Sequence, residues 1–170
     1  RIYYHLGNDE KFNQTIIAHW QRLMQGYQKL GTAPLALEDT RPLTFAMRLV
    51  KSPGEIALMR QAAKISAMAH NRAREFAQPG VYEYQVQAEI EHVFRKEGAI
   101  GIAYPSIVAS GSNACILHYI ENNRQMQDHE LLLVDAGCSY GYYNGDITRT
   151  FPVGGKFTLE QKALYEIVLE

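Results

Sequence analysis

The chain has 170 residues, with 17 basic and 18 acidic side chains, a net charge of −1 and a hydrophobic content of 46%. That is enough chain for one domain with a core, or one domain and part of another. The charge balance excludes a strongly electrostatic partner, so neither nucleic acid nor an anionic membrane surface is expected. No apolar run approaches the roughly 18 residues of a membrane span.

The first 50 residues read as the close of one unit followed by a linker. "RIYYHLG" is a short strand. "NDEKFNQTIIAHWQRLMQGYQKLG" is a helix with Asn8 or Asp9 as cap and Gly31 as stop; Phe12, Ile16, Trp20, Leu23 and Tyr27 recur on one face, which predicts core packing. "TAPLALEDTRPLTFAMRLVK", with two prolines, is the linker, although "LTFAMRL" allows a helical turn or two.

A clear helix start follows at "SPGE", with Ser52 as cap, Pro53 at the first position and Glu55 closing a capping box. This helix runs to about Ala77, with Met59, Ala62, Ser66, Ala69, Ala73 and Phe76 on one face. A second spans about Tyr84 to Glu97, with Val86, Ile90, Val93 and Phe94 inward and Gly98 as stop. Then the period changes. "SIVAS" (106–110) and "ACILHY" (114–119) read as strands, "IENNRQMQDHE" as a polar loop, and "LLLVD" as a further strand. Two helices followed by antiparallel strands predict an α+β layer structure.

The stretch "LLLVDAGCSYGYYNGDITRTFPVGG" carries two acids, Asp135 and Asp146. A hairpin turn centred on Tyr140-Gly141 puts them directly opposite each other on one sheet face, about 4.5–5.5 Å apart at Cβ. Carboxylates that close repel unless a cation neutralises them. Thr148 then lies beside Asp146, where its hydroxyl orients a metal-bound carboxylate. A turn at Asn144-Gly145 is the rival; it pairs Asp146 with Tyr143 and separates the acids, leaving a surface carboxylate and a turn cap. The residues alone leave both registers open. Cys115 and Cys138 match no zinc knuckle and are read as free thiols of a reducing compartment, so a cytoplasmic location is expected.

Together, "LLLVDAG", "NGDITRTFPVGGKFT", "GSNACILHYIENN" and "RLVKSPGEIALMRQAA" resemble the pita-bread (creatinase/aminopeptidase) metallopeptidases, and within them the Xaa-Pro aminopeptidases. The resemblance covers nearly the whole chain and favours facing carboxylates over the Asn144-Gly145 turn. It implies that residues 1–50 close an N-terminal domain and that 51–170 form the first half of the catalytic domain. It further implies two divalent metal ions, manganese before cobalt, zinc or iron, with Asp135 and Asp146 as two of five ligands. The remaining His and two Glu match no residue here. His118, otherwise a satisfied histidine at a strand end, matches a non-ligand histidine at the scissile carbonyl, and Tyr104 a tyrosine of the substrate pocket. The implied reaction is hydrolysis of the bond after the first residue of a peptide with proline second, by a hydroxide bridging the two metals. A prolidase, or a pita-bread domain that has lost its metals and only binds peptide or protein, is the alternative. The intact protein is expected to self-associate as a homo-oligomer. The chain starts without Met and stops inside a helix, so an internal piece of a longer protein, inactive alone, is expected.

Overall fold

A computed structural model describes residues 1–7 and 9–169, without the side chains of Gln28 and Leu30. The chain divides into two compact units, 1–51 and 52–170.

In the first unit, strand β1 (Ile2–Tyr3) pairs in parallel with β2 (Leu37–Glu38). Between them lie helices α1 (Glu10–Gln25) and α2 (Tyr27–Leu30). Asp9 caps α1 by accepting from the Phe12 amide at 3.0 Å; the rival cap, Asn8, lies outside the described residues. The single predicted helix is two, broken at Gly26, and Gly31 ends the second with φ 70°. Helix α3 (Arg41–Leu49) and the short β2 lie within the stretch read as linker, and α3 covers the allowed helical turns at "LTFAMRL". The expected core face of α1 is corrected. Phe12 is 50% exposed, and Leu23 and Tyr27 remain open too. Trp20 is held instead by donating from its indole to the Pro34 carbonyl at 2.7 Å.

The second unit begins at α4 (Pro53–Phe76). Ser52 accepts from the Glu55 amide at 3.3 Å while Glu55 accepts from the Ser52 amide at 2.6 Å, the predicted capping box. Helix α5 (Glu83–Lys96) follows, and Gly98, with φ 85°, lies just beyond it. Strands β3 (Gly101–Ile102) and β4 (Ile107–Ser110) lead to a 3₁₀ turn at Gly111–Cys115. Then come β5 (Leu131–Ala136), β6 (Cys138–Tyr140), β7 (Tyr143–Asn144) and β8 (Ile147–Pro152), a second 3₁₀ turn at Val153–Gly155, and α6 (Leu159–Leu169). The strands form two antiparallel sheets, ordered β3-β6-β7 and β4-β5-β8. Among the described residues no helix is long and apolar enough to cross a membrane.

One face of β5 decides the layering. Leu132, Val134 and Ala136 are fully buried against Ala62, Ile65, Ala69 and Ala73 of α4 and Val86, Ile90 and Phe94 of α5. The small side chains of α4 let the helix approach the sheet closely, and strand alternation turns Leu131, Leu133 and Asp135 to the other face. His70 is buried in α4, where its Nδ1 lies 2.9 Å from the Ser66 carbonyl oxygen.

"ACILHY" is not a strand. Its first residues complete the 3₁₀ turn, Ile116 and Leu117 are exposed, and His118 has φ 56°. A left-handed residue ends extended backbone, so this apolar run forms no ladder.

Candidate metal centre

Both aspartates hang from the β5–β8 ladder, and the register places them. Asp135 pairs with Thr148, Ala136 with Ile147, and beyond the ladder Tyr140 pairs with Tyr143. The turn is therefore Gly141-Tyr142, one residue beyond the expected centre, and not Asn144-Gly145. Both turn residues have positive φ, 55° and 67°, as the tight primed hairpin turn requires. Gly145 serves a different purpose. A Cβ there would lie 2.3 Å from the Ser66 Oγ and 3.0 Å from the Ala62 carbonyl oxygen, so its lack of a side chain lets this strand reach α4.

This register moves the acids apart along the ladder. Asp135 faces Thr148, and Asp146 precedes Thr148 by two residues on the same face. The pair is diagonal, about 7–8 Å apart in backbone terms, and not directly opposed. Side-chain reach closes that gap. The Tyr104 hydroxyl lies 2.6 Å from Asp135 Oδ1 and 2.9 Å from Asp146 Oδ1. Tyr104 comes from the segment between β3 and β4, ahead of Pro105. Burial first, and then these two bonds, hold its hydroxyl well above the ordinary tyrosine value of 10.0, so it stays a donor.

A hydroxyl has a single hydrogen and can serve only one of the two acids at a time. The other oxygen meets lone pairs and a like charge. Two converging carboxylates with one proton between them are a hard-oxygen donor set that a divalent cation completes, so these residues fit a metal. Among the described residues no group of three or more His, Cys, Asp or Glu side chains is placed to hold an ion, and Asp135 and Asp146 stand as a pair.

The acids open into a cleft of about 320 Å³ walled by Tyr104, Pro105, Ile107, His118 and Ile120. The structure thus brings His118, Tyr104, Asp135 and Asp146 to one place. Thr148 sits beside them as the cross-strand partner of Asp135, where the sequence reading had aimed it at Asp146. Sequence reasoning put Tyr104 in the pocket but missed its contact with both acids. It also missed Glu83, a fully buried carboxylate at the start of α5 that grips the segment bearing His118. Its signal was an acid in the first helical turn of "VYEYQV", beside residues that cannot all face water.

Residues 57–170 match metallopeptidase family M24. The chain is 48% identical to an Escherichia coli (strain K12) Xaa-Pro aminopeptidase over 170 residues, covering 99% of this chain and 38% of the relative. It superposes on proline aminopeptidase P II from Yersinia pestis with a TM-score of 0.93 at 49% identity, again over 99% of this chain and 38% of the other. A zinc-substituted E. coli aminopeptidase P in complex with product matches with a TM-score of 0.93 at 48% identity, over 98% and 38%. The chain therefore spans 38% of the length of these relatives. Its helices and antiparallel sheets are those of the aminopeptidase P structures, the pita-bread fold, and divalent metal is the cofactor class. The chain belongs to metallopeptidase family M24.

Proposed function

We propose that this chain is the part of a metal-dependent Xaa-Pro aminopeptidase that supplies two metal ligands, the oxyanion donor and one wall of the substrate cleft. The reaction is release of the N-terminal residue from a peptide with proline second. The observation that carries this reading is the shared hydrogen of Tyr104: Asp135 and Asp146 converge on one donor that cannot satisfy both. Family membership and 48% identity to a named Xaa-Pro aminopeptidase support the substrate class.

Asp135 and Asp146 hold the metal, and Thr148 orients Asp135 from the facing strand. Oxygen-rich ligands suit manganese, cobalt, iron and zinc alike, and the likeness to the family favours manganese. When bound, the metal supplies a water acidic enough to attack at neutral pH. Tyr104 keeps the acids together and lines the cleft. His118 donates to the oxygen of the scissile carbonyl as charge develops there, a contact worth about 3–4 kcal/mol in the transition state. Proline has no N–H to offer and a fixed φ, so its recognition falls to the shape of the cleft, where Ile107 and Ile120 provide apolar walls.

Residues 1–50 close a preceding domain in this reading, and the intact enzyme is a cytoplasmic homo-oligomer. The chain alone, with two carboxylate ligands, does not turn over. The test is hydrolysis of a tripeptide with proline second by the full-length protein, before and after chelation and after manganese is restored. Metal-restored cleavage that stops when the second residue is alanine supports the reading. A full-length protein that binds no metal and only retains peptide supports a binding module instead.

A further inference from the structure

Among the described residues outside the cleft, one acid is buried completely. Glu83, the first residue of α5, is 0% exposed. Its Oε1 accepts from the Ser110 amide at 2.7 Å, the Ser110 hydroxyl at 2.8 Å and Asn113 Nδ2 at 3.3 Å. Its Oε2 accepts from the Tyr119 hydroxyl at 2.7 Å and the Arg124 amide at 3.0 Å. An acceptor-only group meets nothing but donors, and that arrangement makes a carboxylate tolerable away from water.

These donors span one segment. Ser110 ends β4, Asn113 lies in the 3₁₀ turn, Tyr119 directly follows His118, and Arg124 lies beyond. Its far end has other anchors, since Asn122 is buried among bonds to Val108, Gln87 and Ser106 and Arg124 pairs with Glu130, but the stretch around His118 does not. Tyr119 is the one buried residue between 115 and 121, and Leu117 is 86% exposed. His118 itself adopts φ 56°, in the left-handed region that few non-glycine residues occupy. Tyr119 accepts from Asn113 Nδ2 at 2.9 Å while donating to Glu83, so the ring is fixed from both sides. Burial, then the bond to Glu83, raises the Tyr119 hydroxyl above its ordinary range and keeps it a donor.

We infer that Glu83 is a positioning residue for His118: its carboxylate clamps the two ends and the middle of the 110–124 segment, and thereby holds the imidazole at the cleft beside Asp135 and Asp146. The inference rests on the role given to His118 above. The hydrogen bonds of Glu83 go to Ser110, Asn113, Tyr119 and Arg124 and not to the acids, and Tyr119, next to His118, is its shortest link to the imidazole.

The experiment is a double-mutant cycle in the full-length, metal-loaded protein, read with a tripeptide carrying proline second. Glu83→Gln places an amide N–H₂ among donors and lowers kcat by about 10–100-fold, with KM and metal affinity changed less than about threefold. In a His118→Ala background the same substitution costs less than about threefold, since the group it positions is gone. Tyr119→Phe removes one donor, lowers kcat by about 3–10-fold and shows the same loss of effect; it decides the question if Glu83→Gln does not fold. Equal costs with and without His118, or an unchanged kcat, overturn the inference. Hydrogen exchange gives a readout independent of turnover: amides of 112–123 exchange at least about tenfold faster in either variant while α4 is unchanged. Unchanged exchange there overturns the inference even if activity falls. A wild-type protein that fails to cleave the tripeptide sinks the aminopeptidase reading, and the exchange result still decides whether Glu83 holds the segment.

Discussion

Gly137 and Gly145 approach so closely that a Cβ built on the first would lie 1.8 Å from the carbonyl oxygen of the second. Gly137 follows Asp135 by two residues, and Gly145 immediately precedes Asp146. The backbone contact therefore sets the spacing of the acids. Gly145 is pinned from its other side by Ser66 and Ala62 of α4. Gly137→Ala must push the strands apart and Gly145→Ala must push its strand off α4, each at a cost of about 1–3 kcal/mol or more. Thermal denaturation should show a lower Tm for each, with weaker metal binding by calorimetry. An unchanged Tm in either variant contradicts a close-packed contact.

Thr148 lies across the ladder from Asp135. Thr148→Val keeps the shape and removes the hydroxyl. Metal affinity should fall by about 10–100-fold, the usual effect of losing a group that orients a ligand. Calorimetric titration with Mn²⁺ reads it. Unaltered affinity assigns Thr148 to the sheet alone.

Tyr104→Phe removes the one hydrogen between Asp135 and Asp146. In chelator the variant should be destabilised by about 1–3 kcal/mol, because a hydrogen bond to charged oxygen is lost and the acids face each other unrelieved. Manganese should restore part of that difference by neutralising them. Denaturant titrations with and without metal make the comparison. A variant as stable as wild type in chelator contradicts the shared-donor geometry.

The Glu130 carboxylate is held below its ordinary 4.5, chiefly by the hydrogen bond from Arg124. Arg124 Nη2 reaches Glu130 at 2.5 Å, and the Glu130 side chain is 19% exposed. A depressed acid stabilises the fold above its unfolded pKa and loses that contribution as pH falls through its folded pKa. Stability should therefore drop below pH 4.5 by about 1–2 kcal/mol more in wild type than in Glu130→Gln. Parallel acid-side profiles for the two proteins contradict the assignment.

Local signals carried far where one mechanism decides the outcome. The "SPGE" box started α4 where expected, because capping depends on residues within one turn. Strand alternation placed Leu132, Val134 and Ala136 inward and Asp135 outward, since a strand has only two faces. The register was less legible. Asn144-Gly145 has the composition of a turn, yet Gly145 is small for contact with α4, which only tertiary structure reveals. The misread strand at "ACILHY" has the same origin: its apolar side chains find no partner strand, and Tyr119 is drawn into the Glu83 network instead. The acids were found by their motif. Their link through Tyr104 spans 31 and 42 residues of chain, a separation no local pattern reports.

Asp135 and Asp146 are proposed to hold a divalent metal together, and anomalous diffraction from crystals of the full-length protein soaked in Mn²⁺ can locate it. A manganese peak is expected within coordination distance of both carboxylates, lost in Asp135→Asn and Asp146→Asn. Manganese bound elsewhere, or a peak that survives both substitutions, rules the pair out as the metal site.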